Sequence, residues 1–158
     1  VSLEGESLWR IRSLPVSPWQ TLRAKLELHL AVTLPPALLC AGVLLAVVRA
    51  ALPVVLLGLL AVALFVVLSA AVGLVLGVLM PSFHWISETA VIKQSPFCLL
   101  AMLLSWGAAL ALFAGTAALS HRMSPAVGLS LACLLLAGAD ALALRWLKTK
   151  GAARFETT

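Results

Sequence analysis

Twenty-six consecutive residues, Val54 to Leu79, contain no charged side chain. As a helix this run measures about 39 Å at 1.5 Å per residue, more than the ~30 Å hydrocarbon core of a bilayer. A buried strand would be a third as long. Three further runs are of spanning length: Leu26 to Val48, with Glu27 and His29 at its start, Pro96 to Leu119, uncharged, and Ala126 to Leu147, interrupted by Asp140 and Arg145. The alternation of a barrel strand is absent, so the backbone groups must be satisfied within helices. Composition agrees. Only 11% of the residues are charged and 63% are hydrophobic, against about 25% and roughly 45–50% in soluble domains. The expected fold is all-α and polytopic: four transmembrane helices over 26–48, 54–79, 96–119 and 126–147, with a tail at 148–158.

The connections set the direction. Arg49 to Pro53 and the six residues SHRMSP (120–125) form two tight turns, and PSFHWISETAVIKQS (81–95) forms a longer loop. Four crossings place both termini and the long loop on one side. That side holds nine bases, Arg10, Arg12, Arg23, Lys25, Lys93, Arg145, Lys148, Lys150 and Arg154, against Arg49 and Arg122 on the other. Such asymmetry marks the cytoplasmic face. Trp19, Trp85 and Trp146 fall near the same inner boundary, as interfacial anchors. The net charge of +5 therefore reports topology, and no basic patch suited to nucleic acid is present. Membrane lipid is the expected surrounding.

The first 25 residues are different in kind. Leu3, Leu8, Ile11 and Leu14 share one broad side of a short helix flanked by Arg10 and Arg12, a pattern that lies along a membrane surface. Pro15 ends that helix, because the residue before a proline avoids the helical region. Ser17, Pro18 and Gln20 then supply a capping box with proline at the first helical position, so a second helix starts at Pro18 and runs into the first span. A flat cytoplasmic rod, an elbow and a span suit a plain membrane anchor and equally a coupling element driven by a cytoplasmic motor.

Other signals are weaker. Ser69, Gly73 and Gly77, and Gly107, Ala111 and Gly115, recur every four residues, a spacing that lets helices approach closely and that also arises by chance in an Ala/Gly-rich chain. Pro35-Pro36 predicts a kink in the first span. Arg23 and Glu27 are spaced for an i,i+4 ion pair. Cys40, Cys98 and Cys133 stand alone in apolar runs and read as small buried hydrophobes. His29, His84 and His121 are scattered, and no zinc spacing occurs. There is no P-loop, G-x-S-x-G or HExxH, hence no expected catalytic residue, cofactor or metal. Asp140, inside the fourth span, is an intramembrane polar site by its cost alone. It faces a translocation path, pairs with a helix outside the chain, or is satisfied by hydroxyls or backbone at a helix interface. Its ribbon neighbour is Leu144, not Arg145.

Glu4, Gly5, Ser7 and Leu8, followed by Leu14-Pro15-Val16-Ser17 and then Lys25, resemble the cytoplasmic segment of type-2 ABC exporter permeases. Thr33-Leu34-Pro35-Pro36, the 81–95 loop and the closing Gly151-x-x-x-Phe155 are similar to a bacterial subgroup of that superfamily. The resemblance implies a membrane-spanning permease portion of an ATP-driven exporter in the bacterial cytoplasmic (inner) membrane. It has no ATPase site of its own and works with a separate ABC-type ATPase subunit. Glu4, Gly5, Ser7, Leu8, Trp9, Leu14 and Pro15 would form the ATPase contact, with Glu88 and Lys93 as a second cytoplasmic contact. It also implies upstream transmembrane helices or a second permease half, since the usual half-transporter has six spans. Val1 in place of Met fits a fragment or a processed piece. The competing expectation is a four-helix accessory or structural membrane subunit that transports nothing. A proton-coupled carrier built on Asp140 is a third, resting on one acid.

Overall fold

The computed structural model describes residues 17–79, 96–120 and 123–151. The proposed contact residues Glu4 to Pro15, and Glu88 and Lys93, lie outside the described residues, as do Trp85, His84 and His121. Among the described residues the fold is all-α. Its helices are α1 (Pro18–Val47), α2 (Leu52–Leu79), α3 (Pro96–Ser120) and α4 (Pro125–Trp146), and a π-helical turn, Leu147–Gly151, continues α4. All four helices are long and apolar enough to cross a membrane. Large apolar side chains face outward on all of them, Leu39, Leu56, Leu103 and Leu134 among them, which water would not tolerate on this scale. The chain is a membrane protein.

The start of α1 is set by local chemistry. Gln20 N–H donates to Ser17 Oγ (3.3 Å) and Ser17 N–H donates to Gln20 Oε1 (2.9 Å), so two otherwise orphaned backbone donors are satisfied reciprocally. The 30 residues of α1 measure about 45 Å, longer than the hydrocarbon core. Its first turns therefore stand clear of the lipid tails, and there Arg23 Nε donates to Glu27 Oε1 at 2.7 Å, with both side chains exposed. Pro35 and Pro36 do not divide the helix.

At the far end Arg49 N–H bonds Ala46 O and Ala50 N–H bonds Leu45 O. This is a Schellman closure, and Arg49 takes its left-handed position with φ 53°. A non-glycine residue there costs about 1–2 kcal/mol. Arg49→Gly is expected to stabilise the chain by roughly 0.5–1 kcal/mol, read as a higher unfolding midpoint in mixed micelles; an unchanged or lower midpoint would show that Arg49 has a stabilising contact outweighing its backbone strain.

The turn folds α1 back on α2 as an antiparallel pair. Leu22 packs with Val78 and Leu74 at one end, and Leu45 approaches Gly58 at the other, where an added Cβ would come within 3.1 Å of its side chain. α2 is central and packs against α1, α3 and α4. On α4, Gly128, Ala132, Cys133, Leu136 and Asp140 form one buried stripe that the terminal turn extends through Leu147 and Gly151. Cys133 Sγ reaches Leu57 O at 3.5 Å near the start of α2, while the terminal turn touches α1 and α2. α4 must therefore run parallel to α2.

Of the small-residue spacings, the glycines are not close contacts: a Cβ added at Gly73, Gly77, Gly107 or Gly115 would meet nothing within 4 Å, although Ser69 of the first set meets Ser105. The close approach is at Gly58, where the partner is a leucine side chain. One expectation is corrected: Cys40 is exposed on the outward side of α1, whereas Cys133 is buried. The fourth span ends as an α-helix at Trp146 and continues as the π-helical turn, where Thr149 Oγ1 donates to Arg145 O at 2.8 Å.

Candidate functional site

Of the residues singled out from sequence, Asp140 is the one whose surroundings the described helices define. It lies 15 residues from Pro125 and 11 from Gly151, about 22 and 16 Å along the axis, in the middle of the span. It occupies the same stripe as Leu136 and Leu147, so the face that packs α4 onto its neighbours turns it inward. It is 5% exposed, and neither carboxylate oxygen has a hydrogen-bond partner among the described residues. Of the readings open from sequence, an acid satisfied by hydroxyls or backbone finds no support in this geometry.

The helices packed against α4 supply no compensating charge: α2 and α3 contain no Asp, Glu, Lys, Arg or His. Arg145, on α4 itself, is exposed and lies about 140° round the axis from Asp140 at 100° per residue. On the early turns of α1, Arg23, Glu27 and His29 are exposed and Lys25 is half-buried. A buried carboxylate without a partner is costly, so Asp140 needs a reason other than packing. Among the described residues no three His, Cys, Asp or Glu side chains gather to hold a metal ion.

An apolar groove begins one turn away. Between α3 and α4 lies a cavity of about 250 Å³, walled by Phe113, Thr116 and Leu129 and reaching Ser124 and Pro125 at the tight turn. The same three residues wall a second cavity of about 240 Å³, which α2 closes with Ala61, Val62 and Phe65 and α4 closes with Ala132 and Leu136. Phe65 also borders a small recess of about 40 Å³ beside Ser69 and Ser105. The groove thus descends along α3 from the tight turn toward the middle of the bundle. Its lining is almost wholly carbon. Leu136, at its inner end, precedes Asp140 by four residues, a spacing that puts their Cβ atoms about 6 Å apart.

α3 has few ties to the rest of the bundle. Ser69 Oγ and Ser105 Oγ are 3.0 Å apart, a hydroxyl pair joining α2 to α3. Most of the large side chains of α3, including Leu103, Trp106 and Leu110, face outward. Thr116 Oγ1 turns back to its own helix, donating to Leu112 O at 2.9 Å and Phe113 O at 3.0 Å, and so keeps its methyl toward the groove. The Ser69–Ser105 pair was not foreseen from sequence. Its signal was there, in two isolated serines on otherwise apolar helices.

In comparisons with known proteins, no protein-family model matches the chain, and neither a curated protein nor a solved structure is significantly similar to it.

Proposed function

We propose that the chain is the membrane-spanning portion of an ATP-driven exporter, worked by a separate ABC-type ATPase subunit that contacts residues 4–15 on the cytoplasmic side. In this reading both termini face the cytoplasm and the membrane is the bacterial inner membrane. Nine bases on the termini side against two on the other support that orientation.

The observation that carries the proposal is the joint that follows the contact segment. The capping box at Ser17 and Gln20 starts α1 immediately after Leu14-Pro15-Val16. One turn later Leu22, fully buried, is packed against Val78 and Leu74 of α2. The terminal turn of α4 meets both helices at this end, with Leu147 fully buried. In this reading a push arriving at Ser17 meets a capped helix start whose first fully buried residue is packed on α2. That is the mechanical requirement of a coupling segment, and a plain anchor has no need of it.

The test is capture of an ABC-type ATPase, which this reading expects to be encoded beside this gene, tagged and co-expressed with the chain. The wild type is expected to be retained with it in mild detergent. Leu8→Asp with Trp9→Asp is expected to abolish retention while leaving the membrane protein folded. Equal retention of wild type and double variant would refute the assigned contact surface, and no retention of either would favour an accessory subunit that transports nothing.

A further inference from the structure

We propose that Asp140 and the apolar groove beside it form an intramembrane binding site for a lipophilic cation: the cationic centre pairs with the carboxylate and the apolar body fills the groove between α2, α3 and α4. The inference names a substrate class for the exporter reading above and rests on it only for the direction of movement, since binding itself needs no ATPase.

Three independent observations converge. Asp140 is nine-tenths buried or more, with both oxygens unpartnered among the described residues, and the helices packed beside it carry no charge. A buried carboxylate that the protein leaves uncompensated is held either by a proton or by a compensating charge from outside, and a cation that displaces the proton satisfies it. The adjoining cavities, about 250 and 240 Å³, share a wall. Together they approach the range that holds drug-sized ligands. Their lining offers carbon and the side chains of Phe65 and Phe113, suited to an aromatic or aliphatic body. Finally, Leu136 both lines the groove and stands one turn from Asp140; the carboxylate lies beyond the lining, so a bound molecule must displace the Leu136 side chain to reach it. α3, tied to α2 at Ser69–Ser105 and otherwise largely outward-facing, is the wall that yields to admit it. A small inorganic cation fits poorly, because no second oxygen ligand accompanies the carboxylate.

The probe is tetraphenylphosphonium, measured by equilibrium dialysis against the purified full chain in lipid nanodiscs. Wild type is expected to bind it saturably. Asp140→Asn is expected to weaken binding about thirtyfold, the usual consequence of removing one partner of a desolvated charge pair, and Asp140→Glu to retain most of it. Neutral triphenylphosphine oxide is expected to bind no more tightly to wild type than to Asp140→Asn. Ala109→Trp, which blocks the groove from an exposed position of α3, is expected to abolish binding with Asp140 intact, and so decides the matter should Asp140→Asn fail to fold. Wild-type binding absent, unaffected by Asp140→Asn, or unaffected by Ala109→Trp would each overturn the proposal. ATPase capture, scored on the same preparations, is a separate readout: cation binding without capture would retain this site and refute the exporter reading, and capture without cation binding would do the reverse.

Discussion

Asp140→Leu is expected to raise the unfolding free energy by about 3 kcal/mol, the insertion cost of an acid at a helix centre. The gain should appear as a higher midpoint when the protein is titrated with a denaturing detergent in mixed micelles. Leu and Asp are close enough in size that the stripe through Leu136 and Leu147 can accept the change without a new cavity. What disappears is a carboxylate with both oxygens buried and unpartnered. Replacing buried charges by apolar residues of similar volume is commonly stabilising by 1–4 kcal/mol, whereas removing one member of a compensated pair destabilises. The sign of the result therefore decides between two situations. A fall in stability would mean that a group beyond the described helices already neutralises Asp140, and the cation site would lose its main support. A rise would place Asp140 among residues kept for function at the expense of stability.

The second large effect is expected at Leu22. Truncation to Ala should lower stability by about 2–4 kcal/mol, within the span found for buried leucines that leave a cavity. Leu22 is fully buried, and Val78 against it is 1% exposed. The site joins the first turn of α1 to the end of α2, so little nearby backbone can collapse into the space. Leu28, 69% exposed on the same helix, supplies the control, and Leu28→Ala should change little. Combining Leu22→Ala with Val78→Ala should cost less than the sum of the two single changes, because both empty the same space. Full additivity would mean the two side chains are not energetically coupled, and the proposed transmission joint would have no physical basis.

Much of the fold was legible because lipid imposes a simple rule. Runs without charge had to be helices of spanning length, and the helices Leu52–Leu79 and Pro96–Ser120 follow their runs to within two residues. Ser17-Pro18-Trp19-Gln20 announced its own helix start, since a capping box is a local device and needs no partner from elsewhere. The Arg23–Glu27 pair was legible for the same reason. Helix contacts were not. The glycine spacings at 73 and 77 and at 107 and 115 suggested close packing, yet no neighbour comes within 4 Å of a Cβ placed at any of the four, because four-residue spacing says which side chains share a face and not what that face meets. Asp140 stood out by cost, but whether it was satisfied depended on α2 and α3, whose lack of charges becomes informative only once they are known to be its neighbours. The groove was invisible for a related reason: it is made of ordinary apolar residues from three helices, and a void has no composition of its own.

The wide turn at Leu147–Gly151 has one further consequence. Such a turn holds one residue more than the α-helix it extends, which rotates everything after it by about 100°. Leu147 and Gly151 thereby stay inward while Lys148 and Lys150 remain exposed. Deleting any one residue of LKTKG would restore ordinary winding and swing the following sequence a quarter-turn or more around the bundle. The bearing of Gly151, the last described residue, is thus governed by a single inserted residue, so length variation at this point, more than substitution, would turn the end of the span.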